Sequence, residues 1–270
     1  MNLTHLKKWR NSKRKENQNS AKRITKDTSE NLNKESKKLE INHFLDWYIM
    51  TTKTRDLPKY SFKDELWNSI THGIGFLFSL GVLIFFVYKE ISNHIPFKFF
   101  YPFYVYVLTM MIVFVFSTLY HSSKFGSKYR VVARILDHCD IYLFVAGTYF
   151  PICMLGTAPT TMGYIMAGIE FAIAIYGILE NAIPNNSNFL RISAFFMYVI
   201  QGWLLLIFLP FGVKVAANVF WPILIGGIVY TIGAITYAIG KKKIYFHTIF
   251  HIFVLLGAVI QFIGIYNLLG

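Results

Sequence analysis

Cysteine is nearly missing from this sequence: Cys139 and Cys153 are the only two among 270 residues. Both fall in one stretch that reads as a single helix, where fourteen residues set them roughly 21 Å apart. That is too far for a disulfide. A disulfide-stapled scaffold is therefore excluded, and the redox compartment is left open. Charge is scarce as well, 15% of residues against about 25% in ordinary soluble domains. Acidic residues are the rarer kind, 14 against 27 Lys and Arg. Two catalytic signatures are missing too. Without HExxH there is no helix-borne zinc-protease motif, and without GxSxG a metal-free serine hydrolase has little support. No internal repeat suggests a two-fold transporter.

What is present is hydrocarbon. The chain is 54% hydrophobic and 18% aromatic, with a mean hydropathy of +0.43. That balance points to an all-α, multi-pass membrane protein. Residues 1–60 are the exception, holding 15 of the Lys and Arg and 7 of the Asp and Glu. This stretch, rich in Lys, Asn, Ser and Glu, is predicted to be a basic and mostly disordered tail, at least to Lys38. It is not a secretory signal peptide, because no short apolar core follows its basic start. Leu39–Met50 regains apolar character and reads as a short interfacial helix. A basic tail suits either nucleic acid or anionic headgroups. With no nucleic-acid fold signature beside it, membrane lipids are the expected partner and nucleic acid is not.

From residue 61 to 270 the sequence reads as one membrane domain of seven transmembrane helices, at about 68–88, 99–120, 135–155, 161–180, 190–210, 218–239 and 246–268. Each has about the 20 residues needed to cross the hydrocarbon layer. Alternate loops carry the basic residues: Lys124, Lys128, Arg130 and Arg134 after the second, Arg191 after the fourth, Lys241–Lys243 after the sixth. The other loops hold only Lys89, Lys98 and Lys214. By the positive-inside rule the amino terminus is cytosolic and the carboxyl terminus extracellular. The glycines of the last two helices, such as Gly226, Gly233 and Gly257, are expected to let helices pack closely.

Against this background the polar residues stand out. His247 and His251, four apart, share one face of the last helix, a spacing that by itself points first to interhelical hydrogen bonds and only second to one metal ion. Orientation puts them at the depth of His121 and Ser117 at the end of the second helix, and of Asp137 at the start of the third. Three imidazoles with an open fourth position are the ligand set of a catalytic zinc site. Asp137 would then hold the water of that site or serve as general base, and Ser117 would donate to a substrate oxyanion. Singly, each residue has a plainer role: Asp137 as an acid at a helix N-terminus, the histidines as packing residues. His72 reads as a support for that site or as packing, and Asp140 as an alternative acid. His138 points about 100° away from Asp137. Glu170 and Gln201 lie mid-membrane, Glu170 without a partner that sequence can name.

The segments Glu65–Gly73, Ser117–Ser122, Leu136–His138, Ala146–Pro151, Gly226–Gly233 and His247–Phe253 together resemble the hemolysin III family, the bacterial branch of the progestin/adipoQ receptors and more distantly similar to alkaline ceramidases. The resemblance runs from about residue 60 to 270. It implies seven helices with a cytosolic amino terminus, and zinc bound by His121, His247 and His251 with Asp137 and Ser117 beside it. The long basic tail departs from the family pattern. Three functions are consistent with the resemblance: a zinc-dependent hydrolase of lipid-like amides or esters, a pore-forming cytolysin, and a membrane-homeostasis regulator or receptor. A water-filled pore needs a polar lining, and the third to seventh helices offer few polar faces. The expected location is the cell membrane.

Overall fold

The structure, a computed structural model, describes residues 26–44, 46–47, 60–183, 188–239 and 245–269. The chain divides between Thr51 and Thr52 into two units. Within the first, residues 26–44 form a helix, α1, exposed at nearly every position. Composition predicts disorder there as far as Lys38; the structure has helix instead. The helix rests on local terms, good helix formers and i,i+4 pairs such as Lys26–Glu30 at 4.0 Å, rather than on a buried face. The helix expected over Leu39–Met50 overlaps its carboxyl end, and residues 48–50 lie outside the described set.

The second unit is an all-α membrane bundle. Its helices are α2 (Phe62–Ser92), α3 (Phe97–Ser122), α4 (Lys128–Pro151), α5 (Thr160–Ala182), α6 (Asn188–Gly202), α7 (Leu204–Phe208), α8 (Ala217–Ile239) and α9 (Phe246–Tyr266). Boundaries follow local chemistry. Ser61 caps α2 in a capping box, its hydroxyl accepting from Asp64 N at 3.1 Å, and Ser127 accepts from Arg130 N to start α4. Proline sets the starts of α3 and α5, at Pro96 and Pro159. Six of the described helical segments are long and apolar enough to span a membrane. The expected fifth segment differs, because its helix is interrupted at Trp203 into α6 and the short α7. Lys241–Lys243, counted above for topology, lie outside the described residues.

The surface is apolar where lipid would lie, with Leu77, Ile84, Ile175 and Ile235 exposed. The interior is aromatic where α2 ends and α3 begins, with Phe86, Phe100 and Phe103 packed together and Phe114 buried further along α3. Glycine sets the spacing of α8 and α9: a Cβ on Gly257 would lie 2.5 Å from the Tyr230 ring, and one on Gly226 would collide with Gln261 Cγ. At one end of the bundle the α4–α5 and α7–α8 connections join in a two-residue antiparallel ribbon, β1 (Thr157–Ala158) and β2 (Lys214–Val215). The opposite end carries the α3–α4 turn with Lys124 and the histidines.

Candidate metal centre

α3 delivers His121 in its last turn, and α9 delivers His247 and His251 in its first two. The entry to α9 is fixed by Tyr245, which takes a left-handed φ of 66° and donates its N–H to Asp64 Oδ1 at 3.0 Å. Asp64 is itself held by Ser61, so the first turns of α2 and α9 are tied together. The three imidazoles converge through Nε2. His247 Nε2 lies 3.2 Å and His251 Nε2 3.1 Å from His121 Nε2. One ligand atom from each falls within 4.8 Å of the others, a group able to hold a metal ion. His121 and His251 are buried and His247 half-buried.

The outward nitrogens explain the orientation. His121 Nδ1 meets Glu65 Oε2 at 2.7 Å, and a carboxylate can only accept, so Nδ1 carries the proton and Nε2 a lone pair. Asn68 Nδ2, 3.3 Å from the same nitrogen, then finds no lone pair there. Asn68 instead serves α9, its Oδ1 accepting from Thr248 Oγ1 at 2.6 Å. His251 Nδ1 lies 2.5 Å from His72 Nε2. That contact occupies the outward nitrogen of His251 and leaves its Nε2 facing that of His121 at 3.1 Å. The other Glu65 oxygen takes the guanidinium of Arg130, which is buried and lies 4.7 Å over the Tyr120 ring. Arg130 also donates to the carbonyls of Ser123 (2.8 Å) and Tyr120 (3.3 Å). A residue that sequence counts as loop charge is thus an interior brace. Tyr60 stacks on His247 at 4.7 Å and 17°, and burial pushes its phenol above the usual range.

Ser117 lies one turn deeper than His121, fully buried, its Oγ without a hydrogen-bond partner among the described residues. Asp137, 13% exposed, faces it from α4. No hydrogen bond or ion pair joins Asp137 to the three imidazoles among the described residues. Asp140 is buried one turn further along α4, also without a hydrogen-bond partner among them. His138 turns aside and donates Nδ1–H to Arg134 O at 2.8 Å. Sequence reasoning passed over Glu65, Asn68 and Arg130. The signal for the first two was available: 65, 68 and 72 recur at i, i+3 and i+7, one face of α2.

A cavity of about 400 Å³ opens beside the centre, lined by Tyr60, Phe62, Glu65, His121, Lys124 and Arg130 among others. A second, of about 150 Å³, lies between α4, α6 and α8 against Phe144, Tyr149, Trp203, Tyr230 and Ala234. A model of the haemolysin-III related family matches residues 60–262. The chain belongs to that family. The haemolysin-III match takes in every residue that builds the centre. Among relatives, the chain is similar to a hemolysin-3 homolog of Bacillus subtilis (strain 168), 34% identical over 209 residues, or 75% of this chain and 93% of that protein. It is also similar to hemolysin-3 of Bacillus cereus, 35% identical over 214 residues, or 79% and 94%. Membership of the haemolysin-III family and the six apolar helical segments make it a multi-pass protein of the cell membrane.

Proposed function

We infer that His121, His247 and His251 hold a zinc ion near the cytosolic face, and that the centre hydrolyses a lipid-like amide or ester. The observation that carries the reading is the convergence of three Nε2 atoms, two of them with the opposite nitrogen committed elsewhere. Zinc–nitrogen bonds of about 2.0–2.1 Å in a tetrahedron put ligand nitrogens about 3.4 Å apart, close to the 3.1 and 3.2 Å here. Zinc so bound supplies Lewis acidity and lowers the pKa of water to about 7. The residues around it have separable roles. Ser117 Oγ, buried and unpartnered among the described residues, is a donor for a substrate oxygen, and Asp137 facing it is the acceptor for a proton. The cavity of about 400 Å³ that His121 and Glu65 line gives a substrate room beside the centre.

Purified protein is expected to contain one zinc per chain, lost when His247 and His251 are both changed to Ala. Full metal in that double variant would overturn the assignment. Metal-dependent release of fatty acid from a lipid extract would extend it to hydrolysis. The name of the Bacillus cereus relative supports a second reading, a pore-forming cytolysin. Dye release from liposomes separates the two, since lysis that survives His121→Ala favours pore formation over metal chemistry.

A further inference from the structure

The fifth apolar segment breaks at a depth where hydrocarbon penalises free backbone groups. In an unbroken helix Leu205 N would donate to Gln201 O; here it donates to Tyr149 Oη at 3.3 Å. Tyr149 Oη in turn donates to Gly202 O at 3.0 Å, so one phenol from α4 stitches the gap between α6 and α7. Beside the break lies Gln201, fully buried. Its Nε2 donates to Tyr142 O at 3.0 Å and to Glu170 O at 3.3 Å. Two carbonyl partners decide which end of the amide is nitrogen. Oε1 is therefore an acceptor, and no donor reaches it among the described residues.

Glu170 supplies the other half. It sits midway along α5, on the buried face that also carries Ala167, Ala174 and Gly177. It is fully buried, its side chain faces Gln201, and neither carboxyl oxygen has a hydrogen-bond partner among the described residues. The other titratable groups facing it are the Tyr149 phenol and the Cys153 thiol. Tyr149 has already given its proton to Gly202 O. No Lys, Arg or His balances the carboxyl among the described residues. Three buried acceptor oxygens thus share one place and lack one donor.

We propose that Glu170 and Gln201 form a proton-binding site at the break between α6 and α7, the carboxyl group carrying one proton and donating it to Gln201 Oε1. A single proton turns one orphaned oxygen into a donor and satisfies a second. A metal cation fits less well, because a hard ion takes about six oxygen ligands and only three are here. Glu170 and Gln201 stand on α5 and α6, whereas the histidines stand on α3 and α9. The proposal therefore holds whichever way the metal centre is read.

Infrared spectra of the full-length protein in detergent at neutral pH test it. Wild type minus Glu170→Gln is expected to show the loss of one protonated-carboxyl C=O band. Loss of a carboxylate band, with the acid region unchanged, overturns the proposal. The amide introduced by Glu170→Gln can itself donate to Gln201 Oε1, so this variant is expected to melt near wild type. Should it fail to fold, Gln201→Leu decides, since it removes the acceptor and leaves the acid. The acid band is then expected to move to higher frequency, and an unmoved band overturns the pairing.

Discussion

Replacing Glu65 with Gln separates the two contacts of one carboxylate. Oε2 lies 2.7 Å from His121 Nδ1, and Oε1 takes the Arg130 guanidinium. The substitution keeps the shape and removes the charge. At His121, losing a carboxylate behind a ligating imidazole typically costs about 10–100-fold in metal affinity, or about 1.4–2.7 kcal/mol. At Arg130 the guanidinium loses its counter-charge but keeps the carbonyls of Ser123 and Tyr120. The stability cost should therefore fall at the lower end of the about 3–5 kcal/mol seen when a buried pair is broken. With the Glu65 side chain only 16% exposed, solvent offers little relief. The assay is zinc titration of metal-free protein against a chromophoric chelator, with melting of the metal-free form measured alongside. The expected result is about 10–100-fold weaker zinc at unchanged stoichiometry, together with a lower melting temperature. Wild-type affinity in a variant that melts lower would refute the reasoning, for it would show Glu65 serving Arg130 alone.

Other substitutions probe the same frame. Ser117→Ala should leave zinc stoichiometry intact and slow fatty-acid release by about 10²–10³-fold, the usual cost of one oxyanion donor; an unchanged rate removes Ser117 from the chemistry. Asp64→Ala deletes both the partner of the Ser61 cap and the acceptor for Tyr245 N–H. A loss of about 1–2 kcal/mol and weaker zinc binding are expected in thermal melts and chelator titrations, while a change in stability alone would mean that α9 is positioned by other contacts. Gly257→Val drives a side chain into the Tyr230 ring, 2.5 Å from the new Cβ. Overpacking of that kind costs about 1–3 kcal/mol, read as a lower melting temperature.

Much of this architecture is legible in the sequence because the bilayer imposes a simple rule. Long apolar runs become helices, and the six qualifying helical segments fall where hydropathy puts them. The three histidines could be grouped because alternating loop charge assigns each a depth, and depth is one coordinate of three. Azimuth is the coordinate that was missing. Asp137 shares the depth of the histidines, yet α4 turns its carboxylate toward Ser117, and no hydrogen bond or ion pair joins it to the three imidazoles among the described residues. Glu65 and Arg130 are 65 residues apart, and only the packing of α2 against the α3–α4 turn reveals that an apparent loop charge is an interior brace. The break at Trp203 was invisible for another reason. Apolar residues continue across it, and a hydropathy window measures composition rather than hydrogen bonds. In α1 low hydrophobicity argues against a buried face, but not against a helix held by its own side chains.

The tie between Asp64 and Tyr245 has a consequence for biogenesis. The first helix of the bundle carries Glu65, Asn68 and His72, while two of the three converging histidines sit on its last helix, some 180 residues later. During synthesis the early helices therefore enter the membrane with His121 and its supports in place but with no centre to complete. Only the arrival of α9 closes the ring of helices and brings the second and third imidazoles alongside the first. The metal would then act as a late clasp, fastening the end of the chain to its beginning, and its retention would mark a molecule whose assembly is finished.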